Sequence, residues 1–216
     1  MFTTAKICGL TTPEAVSAAL DGGASHLGFV FFARSPRGLT PEQAAALAQP
    51  GRGSAMITAV TVDADDAAIE AIRAALRPDL FQLHGAETPS RAREVRARAG
   101  AGVIKALPVS GVADLDAAAD FEAVVDHLMF DARPPAGSGL PGGVGARFDW
   151  SLLRGRRFAA PWFLAGGLDA AVVGDAIAVS GAPLVDVSSG VESAPGLKDP
   201  ALISAFLKAV SHAPVR

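Results

Sequence analysis

The amino-acid sequence predicts an α/β fold and, within that class, a single-domain (β/α)8 TIM barrel over residues 1–216. Segments typical of a buried strand alternate eight times with segments typical of a helix. The strand segments are apolar throughout rather than at every second residue, which indicates parallel strands buried on both faces. Eight such units fill the chain and leave no residues for a second domain, which favours a closed barrel over an open sheet.

The first unit shows the signals most clearly. TAKICGL (4–10) has the composition of a short buried strand, and a helix is predicted directly after it. Thr12 is its candidate N-cap, Pro13 takes the first helical position, and Gly22 and Gly23 end it.

The other seven units follow the same order, with the strand before the helix. They are SHLGFVFF and TPEQAAALAQ, AMITAVTV and DADDAAIEAIRAAL, DLFQLHG and TPSRAREVRARA, GVIKALPV and VADLDAAAD, HLMFDA and FDWSLL, APWFLAGGL and DAAVVGDAIAV, and PLVDVSSG and PALISAFLKAV. Only the connection after HLMFDA is too long and too rich in glycine for a minimal turn, and loops of that kind are usually functional or disordered.

Composition excludes several classes of function. The net charge of −3 gives no argument for a nucleic-acid partner, and the arginines of TPSRAREVRARA alternate with Glu87 and Glu94, which predicts a solvated helix face. The apolar runs are shorter than the ~18 residues that cross a bilayer, and no basic leader precedes one, so we expect no membrane partner. The single cysteine rules out an internal disulfide and a multi-cysteine metal site, and it is consistent with the cytoplasm.

A barrel of this kind carries its active site at the C-terminal ends of its strands and in the loops that follow them. Candidate residues are therefore those at the predicted strand ends. In chain order they are Cys8, Arg37, Asp63, His84, Lys105, Asp131, Gly166 with Gly167, and Asp186 with Ser188, Ser189 and Gly190.

The last two of these loops predict a phosphate site. Such barrels often bind phosphate between the loops after strands seven and eight, on backbone N–H groups, and glycine lets the backbone approach closely. LAGGLD and DVSSGVE are these two loops. Either one alone could simply end a strand, but together they indicate a small phosphorylated ligand.

Each remaining candidate has a structural alternative. Cys8 is either a small buried hydrophobe or, at a strand end near a positive charge, a base. Asp131 is either a loop-bracing carboxylate or a general acid, and Arg37 either a surface residue or a clamp for a carboxylate or an aromatic ring. His84 is more often a structural histidine than a catalytic one, and Lys105 could form a Schiff base or a salt bridge.

The motifs, taken together, resemble one known family. KICGL, GFVFFARSPR, FQLHG, VIKAL, FDA, GGVGARFDW, FLAGGL, DVSSGVE and GLKD run in order through nearly the whole chain. They are similar to those of the phosphoribosylanthranilate isomerases. The resemblance implies a (β/α)8 barrel without metal or organic cofactor. It implies an Amadori rearrangement of N-(5-phosphoribosyl)anthranilate to 1-(2-carboxyphenylamino)-1-deoxyribulose 5-phosphate, the third step from anthranilate in tryptophan biosynthesis.

The resemblance also implies roles for individual residues. Cys8 would be the general base, and Asp131 the general acid. Arg37 would hold the anthranilate group, and Asp186 would lie near the ribose hydroxyls. The substrate phosphate would rest on the backbone of the strand-seven and strand-eight loops, whose predicted contacts are Gly166, Gly167, Ser189 and Gly190.

The chain departs from the family at three positions, and other functions stay open. Val144 in the strand-six loop replaces the usual threonine or serine, Ala171 replaces a common asparagine after AGGL, and Asp63 at the end of strand three replaces a residue that is usually apolar. One alternative is another phosphosugar isomerase barrel of the histidine-pathway type, although that type uses an aspartate where this chain has Cys8. A second is a non-catalytic barrel that binds a phosphorylated metabolite. A third, indoleglycerol phosphate synthase, would depend on Lys105. The sequence is compatible with a monomer or a homodimer.

Overall fold

A computed structural model describes residues 3–135, 137, 142–143 and 145–213. Eight strands form one closed barrel in the order β1 to β8, and every neighbouring pair, including β8 with β1, is parallel. The strands are β1 (Thr4–Cys8), β2 (His26–Phe31), β3 (Met56–Thr61), β4 (Leu80–Leu83), β5 (Gly102–Val109), β6 (His127–Ala132), β7 (Trp162–Leu164) and β8 (Leu184–Val187). The predicted barrel is therefore confirmed.

Helices connect most of the strands on the outside. They are α1 (Pro13–Asp21), α2 (Pro41–Ala48), α3 (Asp66–Leu76), α4 (Pro89–Ala99), α5 (Ala118–Phe121), α6 (Val173–Ser180) and α7 (Pro200–Ser211). The predicted start of α1 is confirmed, because the Thr12 side chain accepts a hydrogen bond from the Ala15 N–H and Pro13 opens the helix. The Ala15 N–H group, one of the first-turn donors without an intrahelical partner, is thus paired.

Two predicted helices differ in the structure. Most of the segment 112–120 is a 3₁₀ helix (Val112–Ala117), and only its end belongs to α5. Between β6 and β7 the described residues hold a 3₁₀ turn (Trp150–Leu153) and no α-helix. A cluster of aromatic rings supplies apolar packing at this place instead, with ring centroids of Phe130, Phe158 and Trp162 within 5.8 Å of one another.

After β8 the chain forms a small hairpin that the strand pattern does not predict. A 3₁₀ turn (Ser189–Val191) leads into two short antiparallel strands, β9 (Glu192–Ala194) and β10 (Leu197–Lys198). Gly196 turns the chain at a φ of +82°, a conformation that favours glycine. The hairpin brings Glu192 and Lys198 together beside the end of β8.

Two histidines lie at the N-terminal end of the barrel, where the strands begin. The His26 ring lies edge-on to Phe163 at 5.1 Å and to His127 at 6.2 Å between centroids, and its Nδ1 lies 2.8 Å from the Ser25 hydroxyl. Burial, followed by the charge of Lys6 and the neighbouring His127, lowers the pKa of His26 to about 3. His26 is therefore neutral in the folded protein at any pH near neutrality.

This depressed pKa predicts a loss of stability in acid. The unfolded chain takes up a proton on His26 below its ordinary pKa of 6.5, whereas the folded chain does so only near 3. The penalty is absent above 6.5 and grows as the pH falls toward 3, reaching about 2 kcal/mol of the free energy of unfolding near pH 5. Urea unfolding of the native chain and of His26→Gln at neutral pH and near pH 5 measures it. The variant should lose less stability; equal losses would contradict the assignment.

No helix in the part of the chain covered by the structure is long and apolar enough to cross a membrane.

Candidate active site

Cys8 ends β1, and its side chain packs with Val30 and Val60 at the mouth of the barrel, where it is 7% exposed. Burial, the largest influence, raises the pKa of this thiol. The Lys6 ammonium opposes the shift, the Asp186 carboxylate adds to it, and Lys198 opposes it more weakly. The positive neighbours expected for a base are present, but burial outweighs them, so Cys8 is a thiol at neutral pH.

Lys6 lies two residues before Cys8 on β1, so both side chains point to the same side of the strand. Its side chain is fully buried, and its Nζ lies 2.8 Å from Asp186 Oδ1 on the adjacent β8. Burial would lower the pKa of Lys6, but the charges of Asp186 and Cys8 outweigh it and raise the pKa. A permanent positive charge therefore lies beside the thiol.

The raised pKa of Cys8 predicts a slow and strongly pH-dependent alkylation. Cys8 is the only cysteine of the chain, so uptake of iodoacetamide reports on it alone. Because the thiolate is the reactive form, the rate should climb with pH and reach half its maximum above the ordinary thiol value of about 8.5. The same protein in urea provides the control, with a midpoint near the ordinary value. A folded-state midpoint below that of the urea control would contradict the assigned environment.

Asp131 lies in β6, and its carboxylate meets the ring of His84, which follows β4. The distance from His84 Nε2 to Asp131 Oδ2 is 3.1 Å, and both side chains are largely buried. The other carboxylate oxygen lies beside the loop after β7, where a Cβ added to Gly166 would be 3.1 Å from Asp131 Oδ1. The structure therefore brings two sequence candidates into direct contact.

Cys8 and Asp131 line the same cavity, which opens at the C-terminal end of the barrel. They lie on strands that are separated in the barrel by β7 and β8. The loops after β7 and β8 therefore lie between the thiol and the carboxyl. Of the other predicted residues, Arg37, Asp186, Gly166, Gly167 and Ser189 also line this cavity.

The loops after β7 and β8 present unpaired N–H groups. Within the described residues, the backbone N–H groups of Gly166, Gly167, Ser189 and Gly190 donate no hydrogen bond. Gly166 and Gly167 have φ values of +88° and +61°, which only glycine adopts readily. Free N–H groups on adjoining loops favour an anion. This arrangement suits a phosphate group.

Gly190 differs from the other three residues of this set. A Cβ added there would lie 1.9 Å from the carbonyl oxygen of Leu168, and Gly190 is not among the residues that line the cavity. Glycine at this position lets the loop after β8 pack directly against the loop after β7. The role of Gly190 is therefore to allow close packing of the two loops.

Arg37 is buried at the cavity wall and paired with a residue that the sequence did not single out. Its Nε and Nη2 donate to the two carboxylate oxygens of Glu192 at 2.7 and 2.8 Å, and Lys198 donates to the same carboxylate. Burial disfavours the charge of Glu192, but the hydrogen bonds from Arg37 and Lys198 hold its pKa below the usual range. Nη1 of Arg37 has no hydrogen-bond partner in the described part of the chain.

Lys105 forms a salt bridge and does not reach the cavity. Its Nζ lies 2.7 Å from Glu87 Oε2 and 2.7 Å from the Gly85 carbonyl oxygen. The expectation that Glu87 belongs to a solvated helix face is wrong, because Glu87 precedes α4 and is buried against Lys105. Asp63, at a φ of +47°, donates its N–H to Glu87 and accepts from the Ala86 N–H. These three side chains brace the loops after β3 and β4.

Several residues of the site are not among the candidates predicted from the sequence. Lys6 had one available signal, a lysine inside an otherwise apolar strand, whereas Gln82, Glu192 and Lys198 stand in quoted motifs without any sign of a partner. Val144 lies outside the described residues. Among the described side chains, no group of three or more His, Cys, Asp or Glu residues is arranged to hold a metal ion.

Comparisons with known proteins show the family of this chain. Residues 5–209 match the family model described as N-(5'-phosphoribosyl)anthranilate (PRA) isomerase. An N-(5'-phosphoribosyl)anthranilate isomerase of Caulobacter vibrioides is 67% identical over 97% of this chain and 96% of its own. The crystal structure of the Thermotoga maritima enzyme is 32% identical with a TM-score of 0.86, over 97% of this chain and 98% of that one.

A further solved structure of a phosphoribosyl anthranilate isomerase contains reduced 1-(o-carboxyphenylamino)-1-deoxyribulose 5-phosphate. It is 31% identical to this chain with a TM-score of 0.81, and the match covers 97% of this chain and 98% of that one. The barrel, the cavity at its C-terminal end and these matches along nearly the whole sequence lead to one conclusion: the chain belongs to the N-(5'-phosphoribosyl)anthranilate isomerase family.

Proposed function

We propose that this chain converts N-(5-phosphoribosyl)anthranilate to 1-(2-carboxyphenylamino)-1-deoxyribulose 5-phosphate, with Asp131 as general acid and Cys8 as general base. The observation that carries the proposal is the shared cavity. A thiol and a carboxyl line it from strands on either side of two loops with unpaired N–H groups. An acid and a base around one anchored sugar phosphate are what an aldose-to-ketose shift needs.

The reaction starts at the ribose ring. Asp131 gives its proton to the ring oxygen while the nitrogen lone pair of the anthranilate forms a double bond to C1, so the C1–O bond breaks and a protonated Schiff base results. Cys8 first releases its thiol proton to solvent, with the Lys6 ammonium beside it to stabilise the thiolate. The thiolate then removes the proton from C2, the electron pair of that C–H bond forms a C1–C2 double bond, and the pair of the C1–N double bond neutralises the iminium nitrogen. The enolamine takes up a proton from solvent at C1 and releases the proton of its C2 hydroxyl to solvent, which leaves the ketone, and Asp131 regains its proton from solvent. No atom is gained or lost.

The remaining cavity residues bind the substrate. The N–H groups of Gly166, Gly167 and Ser189 receive the phosphate, with Gly190 holding the two loops together. Arg37 offers Nη1 to the anthranilate carboxylate, because Nε and Nη2 are taken by Glu192. Asp186 binds a ribose hydroxyl through Oδ2, since Oδ1 is held by Lys6.

Replacing Arg37 with alanine is expected to raise KM much more than it lowers kcat. A hydrogen bond between charged groups contributes about 1.5–3 kcal/mol, which corresponds to a rise of roughly 10- to 100-fold. Arg133→Ala is a matched control, because Arg133 is an exposed arginine that pairs with Asp114 and does not line the cavity. Steady-state kinetics of both variants measure the effect. An unchanged KM in Arg37→Ala would remove Arg37 from the binding site.

Identification of the product tests the proposed function. Freshly prepared phosphoribosylanthranilate is incubated with the protein, and the product is identified by carbon-13 NMR, because substrate and product have the same mass. The expected species is 1-(2-carboxyphenylamino)-1-deoxyribulose 5-phosphate, whose C2 ketone carbon is absent from the substrate. Rearrangement of the histidine-pathway aminoaldose alone would support the other isomerase, and binding without conversion would support the non-catalytic barrel.

We further propose that residues 1–216 form one barrel domain and that the protein works in the cytoplasm. The eight barrel strands already extend from Thr4 to Val187, and α7 follows them. A single cysteine without a disulfide partner is consistent with a reducing compartment.

A further inference from the structure

The histidine of the FQLHG motif has no role in the reaction as described above, although it touches the catalytic acid. His84 Nε2 lies 3.1 Å from Asp131 Oδ2, and the ring lines the cavity. Space around this contact is closed, because a Cβ added to Gly142 would be 2.6 Å from His84 Nε2 and 2.7 Å from Asp131 Oδ2. Gly142 therefore lies directly against the hydrogen bond between the ring and the carboxyl.

Gln82 holds the ring from the other side. It is fully buried, and its Nε2 lies 2.8 Å from His84 Nδ1 and 3.4 Å from Met129 Sδ. Because an amide nitrogen only donates, Nδ1 of His84 must accept, and the proton of the neutral ring is then on Nε2. Met129 Sδ can only accept, so its contact with the amide favours Nε2 rather than Oε1 of Gln82 on the side of the ring. Gln82 Oε1 is then buried without a partner among the residues that the structure describes.

The Nε2 proton assigns different tasks to the two oxygens of Asp131. Oδ2 accepts a hydrogen bond from the Nε2–H group of His84. A second hydrogen, bound to Oδ2, cannot also point at Nε2. A proton on Oδ2 would weaken this acceptor, so the contact favours the acidic proton of Asp131 on Oδ1, the oxygen beside Gly166 and the loop after β7. When Oδ1 gives up this proton, the Nε2–H group remains in place to stabilise the negative charge.

We propose that His84 and Gln82 are positioning residues for the catalytic acid: Gln82 fixes the Nε2–H tautomer of His84, which orients Asp131 so that Oδ1 delivers the proton. This inference rests on the proposed role of Asp131 as general acid. The arrangement resembles the way a carboxylate orients a histidine in hydrolases, with the order of the side chains reversed, since here a histidine orients the carboxyl.

Three variants test the proposal through kcat and KM. His84→Leu removes the donor to Oδ2 and should lower kcat by about 10- to 100-fold with little change in KM, since the phosphate and anthranilate contacts remain. His84→Gln places an amide donor near the position of Nε2 and should recover most of that loss. Gln82→Met keeps a similar volume, removes the donor to Nδ1 and should lower kcat several-fold. Equal kcat values in His84→Leu and His84→Gln, or no loss in either, would overturn the proposal.

The tautomer itself is measured by nitrogen-15 NMR of the imidazole rings, which needs no activity. The chain has four histidines, and the His84→Gln spectrum identifies the signals of His84 by their absence. We expect the Nε2–H form in the native protein and a mixture of both forms in Gln82→Met. A native Nδ1–H form would overturn the assignment even if His84→Leu failed to fold. Failure of the proposed function would show instead as native protein that does not convert phosphoribosylanthranilate.

Discussion

Asp131→Asn is expected to abolish nearly all turnover while the protein still binds a product analogue. Asparagine has almost the same shape as aspartate but carries no acidic proton, so the furanose ring oxygen loses its proton donor. General acid catalysis typically contributes 10²- to 10⁴-fold, and we expect kcat to fall by roughly that factor. The reduced ketose phosphate is a suitable analogue, because it needs no ring opening.

Binding and stability provide the controls for this variant. The asparagine side chain can still accept the hydrogen bond from His84 Nε2, which lies 3.1 Å from Oδ2 in the native protein. The affinity for the analogue, measured by calorimetry, should therefore change only slightly, and the unfolding midpoint should stay close to the native one. Turnover at the native rate would show that Asp131 braces the loop and that another group donates the proton.

Cys8→Ser is expected to keep the fold and to lose most of the rate, by about 10²- to 10⁴-fold in kcat. A serine hydroxyl is a far weaker acid than a thiol, so almost none of it is ionised even beside the Lys6 ammonium. The change is small in volume, and the cluster around Cys8 is small, with Val30 and Val60 buried beside it and Phe32 packed against it. Structural consequences should therefore be minor.

A substrate deuterated at ribose C2 separates this role from that of Asp131. If Cys8 removes the C2 proton, its replacement makes that step limiting, and the deuterium isotope effect on kcat should increase in Cys8→Ser. Asp131→Asn slows the earlier ring opening, so its isotope effect should shrink. Near-native activity of Cys8→Ser would return Cys8 to the role of a small buried hydrophobe.

The barrel could be predicted because its signals are local. Each strand is a short apolar run that ends in glycine or polar residues, and caps such as Thr12 with Pro13 mark the following helix. The connection between β6 and β7 could not be predicted in this way. There the aromatic rings of Phe130, Phe158 and Trp162 pack together, and which surface such rings cover depends on tertiary contacts that the local pattern does not contain.

The site was predictable in its position and less so in its chemistry. Strand ends gave the candidates, but burial and partners follow only from the closed barrel. Lys6 reaches Asp186 because β1 pairs with β8, and these residues are far apart in the chain. Glu192 meets Arg37 through a hairpin whose strands are too short to produce a pattern. The salt bridge of Lys105 likewise depends on Glu87, which lies in the loop after β4 and which the sequence pattern assigns to a solvated helix face.

The most direct test of this account follows the fluorescence of phosphoribosylanthranilate after addition of the native protein, Asp131→Asn or Cys8→Ser, each shown to be folded. We expect rapid loss of fluorescence with the native protein and almost none with either variant, although both bind the reduced ketose phosphate. Conversion by either variant at the native rate would contradict the assignment of that residue. No conversion by the folded native protein would contradict the proposed reaction.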